Sequence, residues 1–129
     1  MKIKSIGASR LAIPFKVSFK HASAARASTE TIWIKVIASD GTVSYGEGCP
    51  RSYVTQESLD SAERFIATHL HDWRENLQDL ATLKNWVQQH RAEIDKNPSA
   101  WTAVEIALLD LLGKERRCSV ESLLGLPEL

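Results

Sequence analysis

From Ala100 to Leu112 the chain reads AWTAVEIALLDLL, and only Thr102, Glu105 and Asp110 are polar. A helix that is apolar nearly all round has to be covered on several sides, so this stretch predicts a core helix. Its start is marked by Asn97, an N-cap type, and by Pro98, whose missing N–H costs nothing at the first helical position. At 3.6 residues per turn Trp101, Val104, Leu108, Leu111 and Leu112 form a broad stripe, while Ala100, Ala103 and Ala107 give a smoother face for close backbone approach. Two neighbours can pack against such a helix.

The N-terminal half has a different period. Lys2 to Phe15 alternates loosely, with Ile3, Ile6, Leu11 and Ile13 apolar, and predicts one or two short strand pieces interrupted near Gly7 and stopped by Pro14. Val17 to Ser28 is small and polar without a clear period and is read as a loop lying over something. Thr29 to Ala38 is rich in β-branched residues, with Ile32, Ile34 and Val36 on one face and Trp33, Lys35 and Ile37 on the other. Asp40-Gly41 signals a hairpin turn, and Thr42 to Gly48 returns as the partner strand.

After Pro50 the spacing lengthens. Thr55, with acidic Glu57 behind it, marks a helix start, and Leu59, Ala62, Ile66 and Leu70 recur at three-to-four spacing over about Gln56 to His71. A polar connector through Trp73 and Asn76 leads to Leu80, Leu83, Val87 and Ile94, a second amphipathic helix that ends before Pro98. Strands first and helices afterwards predict an α+β domain, a three-stranded antiparallel meander followed by a layer of three to four helices. At 129 residues with 43% hydrophobic composition, one compact domain over residues 1–129 is expected.

The run Ala103, Glu105, Ala107-Leu108, Asp110-Leu111, Gly113-Lys114 and Leu123-Leu124-Gly125 resembles the last helices of the N-terminal capping domain of the enolase superfamily, in the mandelate racemase-like branch of muconate-lactonizing enzymes and dipeptide epimerases. Tyr45-Gly46-Glu47-Gly48 with Pro50, and Phe19-Lys20 followed by Arg26, extend the resemblance over essentially the whole chain. The family usually has Gly where Arg117 stands and Pro where Ser119 stands. A left-handed Arg117 would cost on the order of 1 kcal/mol relative to Gly, and Ser119 offsets part of this as an N-cap for the next short helix.

The resemblance implies a substrate-capping and specificity domain whose partner is a modified TIM barrel that binds Mg²⁺ and abstracts a proton next to a carboxylate. A barrel takes about 250 residues, so it is expected to lie outside this chain, which alone should bind no cofactor and be inactive. The resemblance also implies that Lys20, His21, Arg26, Arg51 and Tyr53 fall in the two specificity loops and contact a small carboxylated substrate; generic surface charge is the competing reading. Another class of function is a stand-alone binding or oligomerisation module derived from such a cap, and a homo-oligomer stays open in either case.

Composition narrows the partners. Sixteen basic and sixteen acidic residues balance without long blocks of one sign, which argues against nucleic acid or an anionic membrane. The start MKIKSIGASR lacks the apolar core of a signal peptide, and a cytoplasmic location is expected. Cys49 and Cys118 show no metal-type spacing and are expected to be reduced thiols.

Neither nucleophile nor metal chemistry has a recognisable motif. His69 and His71 are two apart on a helix and diverge by about 200°, and surface positions are preferred to a metal site for all four histidines. Glu105 projects into the apolar stripe, so it is read as either a catalytic or metal-binding acid or a structural carboxylate with a hydrogen-bonded partner. The structural role is preferred because no convergent groups can be named beside it. Glu47, at a strand end beside Gly48, is similar. The four tryptophans fit core packing better than a stacking surface.

Overall fold

The computed structural model describes residues 1–21 and 24–127, with the side chains of 18–21 and 24–27 excepted. Strands β1 (Ile3–Leu11), β4 (Thr31–Ala38) and β5 (Val43–Gly48) form an antiparallel sheet in the order β1-β4-β5. The α+β meander expected from the sequence is present, with β4 at its centre. Alternation sets its faces: Ile32, Ile34, Val36 and Ala38 are buried, while Trp33 and Tyr45 meet on the other face at a ring separation of 5.2 Å. Gly7 does not interrupt β1; it pairs with Lys35, and the register shift lies between Ile3 and Ser5.

Val17 to Ser28, expected as a loop, is instead most of an antiparallel pair, β2 (Pro14–His21) with β3 (Ala24–Ser28), inserted between β1 and β4 as a separate two-stranded sheet. β2 does alternate, with Phe15, Val17 and Phe19 against Lys16, Ser18 and Lys20, but that period straddles the boundary drawn at Val17, and the Ala- and Ser-rich β3 has weak strand propensity and no apolar period.

Among the described residues five helices follow: α1 (Leu59–Asn76), α2 (Leu80–Gln89), α3 (Arg91–Ile94), α4 (Pro98–Arg116) and α5 (Val120–Leu123). Ser58, not Thr55, caps α1, in a reciprocal box with Ser61. The helix runs five residues past His71, and Trp73, read as part of a connector, is fully buried within it. The second predicted helix is divided at His90, whose φ of −109° and ψ of 18° leave the helical region and whose ring stacks on Trp86 at 4.1 Å.

Helix α4 is the buried one, with Ala100, Ala103, Val104, Ala107 and Leu108 fully inaccessible. Its alanine face lies on β5, where Gly46 and Gly48 let the two backbones nearly touch. A Cβ at Gly46 would sit 1.9 Å from the Ala103 carbonyl oxygen, and one at Gly48 would sit 2.1 Å from that of Ser99. Arg117 ends α4 in the left-handed conformation (φ 54°, ψ 44°). The Ser119 side chain caps α5 by accepting from Ser122 N, as the sequence predicted.

The helices also enclose an aromatic cluster of Phe65, His69, Trp73, Trp86, His90 and Trp101. His69, expected at the surface, is buried there, with Nε2 2.8 Å from Glu93 Oε2. Asp72 accepts from Trp86 Nε1 at 2.7 Å. The Asn76 amide and then the Trp86 indole hold the Asp72 carboxyl below its ordinary pKa.

Candidate functional site

One end of the three-stranded sheet gathers the segments that the sequence singled out. Ile32 at the start of β4 pairs with Gly48 at the end of β5, so the segment entering β4 and the loop leaving β5 emerge side by side. The root of the β2–β3 hairpin is at the same end, closed by Thr29: its N–H donates to the Ile13 carbonyl at 2.8 Å and its Oγ1 accepts from Ile13 N at 2.9 Å.

The loop from Cys49 to Glu57 is folded on itself. The Arg51 carbonyl accepts from the amides of Val54, Thr55 and Gln56 at 3.1, 2.8 and 3.1 Å, and Thr55 Oγ1 lies 3.2 Å from both Arg51 N and Arg51 O. The Arg51 guanidinium donates through Nη1 to the carbonyls of Glu30 (2.7 Å) and Pro50 (2.8 Å). This bond ties the loop to the segment between the hairpin and β4. Tyr53 is partly exposed on the same loop, beside the 68% exposed Val54.

Between the loop and the start of α1 lies an open polar cleft of about 250 Å³ bounded by Arg10, Glu30, Arg51, Ser52, Ser58 and Asp60. Arg10, at the end of β1, grips α1 across it: Nε and Nη2 donate to the two oxygens of Glu63, each at 2.7 Å, and Nη2 also reaches Asp60. The Glu63 pair and then Asp60 raise the Arg10 pKa, and Arg10 in turn holds the Glu63 carboxyl below its ordinary value. Because these groups are exposed, the pair is screened and serves more to orient than to stabilise.

Of the five residues expected to face substrate, Arg51 and Tyr53 share this loop. Lys20, His21 and Arg26 lie on the hairpin, where Lys20 pairs with Ala25, His21 with Ala24 and Arg26 with Phe19; their side chains lie outside the described residues. Sequence reasoning missed Glu57. It is 1% exposed and, far from acting on α1, places Oε2 2.9 Å from Ser99 N and Oε1 3.0 Å from Ala100 N in the first turn of α4. Asn97 stands at the cap position but its side chain turns away to donate to Glu93 O, so Glu57 does the capping. The partners are more than 40 positions apart, and no local spacing announces them.

The other acids sort by environment. Glu105 is half-buried beside an apolar groove of about 370 Å³ lined by Leu80, Leu83, Val87, Leu109 and Leu124. Burial raises its pKa, opposed by a hydrogen bond from the Trp101 side chain. Asp110 pairs with Lys114 at 2.7 Å, and Glu47 is exposed. Among the described residues no group of three or more His, Cys, Asp or Glu side chains is placed to hold a metal ion, and no helix is long and apolar enough to cross a membrane.

Known proteins share this fold. The L-Ala-D/L-Glu epimerase of Bacillus subtilis is 33% identical over 112 residues, 85% of this chain and 30% of its own. Its substrate-liganded structure superposes with a TM-score of 0.78 at 30% identity over 90% of this chain and 32% of that one. A dipeptide epimerase from Enterococcus faecalis, complexed with Mg and the dipeptide L-Leu-L-Tyr, has a TM-score of 0.74 at 25% identity, covering 96% of this chain and 34% of that one. A muconate lactonizing enzyme from Mycobacterium smegmatis complexed with muconolactone has a TM-score of 0.78 at 29% identity, covering 96% and 33%. The chain therefore spans about a third of the length of the curated relatives it matches. The profile of the mandelate racemase / muconate lactonizing enzyme N-terminal domain matches residues 4–125, and the chain belongs to that family, the N-terminal domain of the enolase superfamily.

Proposed function

We propose that this chain is the substrate-capping and specificity domain of an isomerase of the dipeptide-epimerase type, with a muconate cycloisomerase as the other member of the same class. The observation that carries this reading is the bond from Arg51 to the Glu30 carbonyl, which joins the loop after β5 to the hairpin root on one rim. That rim combines cationic, aromatic and exposed apolar groups, a mixture suited to a small carboxylated ligand. Lys20, His21, Arg26, Arg51 and Tyr53 are the proposed substrate contacts, none of them catalytic.

The chemistry belongs to a barrel partner. The relative from Enterococcus faecalis is complexed with Mg, and in this reading the metal and the proton-transferring bases are assigned to the barrel. The cap supplies recognition and exclusion of water. A cytoplasmic location accords with this role.

In the complete protein, Arg26→Ala and Tyr53→Phe should change the relative kcat/KM among L-Ala-L-Glu, L-Leu-L-Tyr and muconolactone by about tenfold or more while leaving the thermal midpoint nearly unchanged. Unchanged selectivity in both variants would remove the specificity role. The competing reading, a stand-alone binding or oligomerisation module, would be favoured by an intact mass and coding sequence that end with this domain.

A further inference from the structure

We infer that Glu57 and Ser99 form a latch that fixes where Arg51 and Tyr53 stand, making Glu57 a positioning residue for substrate selection; the inference rests on the capping role proposed above. The loop that carries Arg51 and Tyr53 is closed by its own hydrogen bonds onto the Arg51 carbonyl. Such a unit keeps its internal shape and could still swing as a whole. Its two ends, however, meet the same helical turn. At the front, Ser99 Oγ donates to the Cys49 carbonyl at 3.2 Å; at the rear, Ser99 N and Ala100 N donate to the two oxygens of Glu57.

The turn that receives both ends is a firm reference. The Ser99 and Ala103 carbonyls lie against Gly48 and Gly46 with no room even for a methyl group, so this part of α4 cannot shift without moving the sheet. A local backbone cost accompanies the arrangement. Gln56 has a φ of 60°, a left-handed conformation uncommon for a residue other than Gly, immediately before the residue whose carboxylate is directed inward. Burying a carboxylate on two backbone donors is a strong, directional contact, and here it links the loop to the helix rather than capping α1 beside it. The position of the Arg51 guanidinium is thereby set from behind as well as by the Glu30 carbonyl in front.

The test combines amide hydrogen exchange with kinetics in the complete protein, using L-Ala-L-Glu and L-Leu-L-Tyr as probes. In Ser99→Ala and Glu57→Gln the amides of Val54, Thr55 and Gln56 should exchange about tenfold faster than in the parent while those of β4 stay unchanged. KM for the preferred probe should rise about threefold or more at nearly constant kcat, and Ser99→Thr, which keeps the hydroxyl, should restore the parent values. Acceleration spread evenly through α4 and β4, or a loosened loop with KM unmoved, would overturn the latch and leave Glu57 as a helix cap only. Arg51→Ala separates the two readings. If it leaves KM unchanged on both probes, Arg51 is no substrate contact and that part of the capping reading fails; the latch then holds only if Ser99→Ala and Glu57→Gln still raise KM, through Tyr53.

Discussion

Glu105 shows how one side chain couples to solution conditions. Its folded pKa is raised by burial, so the folded state binds more protons than the unfolded chain between the ordinary glutamate value and the raised one. Its contribution to stability is therefore fully present below the unfolded pKa and is lost as pH rises through the folded pKa. Glu105→Gln keeps an acceptor for Trp101 and removes the buried charge, and it should raise the thermal midpoint at neutral pH with an advantage that shrinks toward acid. Melting curves across pH check this, and an equal or growing advantage on acidification would contradict it. Arg117 is a second residue-scale case. Its left-handed backbone (φ 54°) means that Arg117→Gly should stabilise by about 1 kcal/mol, read from denaturant midpoints at constant slope.

At the scale of elements, the contact between α4 and β5 dominates. Alanines on one side and two glycines on the other bring helix and strand to backbone contact, so the sheet end and the helix start behave as one block. Gly46→Ala would drive a methyl group into the Ala103 carbonyl and the Ala107 amide. Since both obstacles are backbone, relief requires separating the elements, and the expected loss is about 3 kcal/mol or more. Circular dichroism melts should show that loss, whereas Gly7→Ala, where a Cβ meets nothing within 4 Å, should change little.

For the whole molecule, the buried core is closed by its own helices, while Ile13, Phe15, Val17, Tyr53 and Val54 are left exposed on the hairpin and the loop. In the proposed capping role these apolar side chains are what a covering barrel would bury. The chain on its own should self-associate with concentration in sedimentation experiments, and Val17→Ser with Val54→Ser should weaken that association without lowering the melting point. A monomer at all accessible concentrations would show that these side chains are ordinary surface.

The sequence determined the elements whose burial imposes a period. The β4 alternation, the all-round apolar α4 with Pro98 at its start, the Ala100, Ala103 and Ala107 face and the Ser119 cap could all be read directly, because each is a local rule repeated over a few residues. Arg51 and Tyr53 fall together on one loop because only Ser52 separates them. The tertiary structure alone decided the rest. The β2–β3 pairing joins a strand whose alternation of Phe15, Val17 and Phe19 begins before Val17 to an Ala- and Ser-rich partner with no apolar period, so the pairing itself is not written in either strand. His69 already shares a helix face with Phe65 and Trp73, four positions away on either side, but it became a core residue only when packing of the helices added Trp86 and His90. Glu57 reads in sequence as an acid beside its own helix, but its electrostatic partner is the N-terminus of a helix 42 residues later, and long-range pairing of this kind leaves no periodic trace.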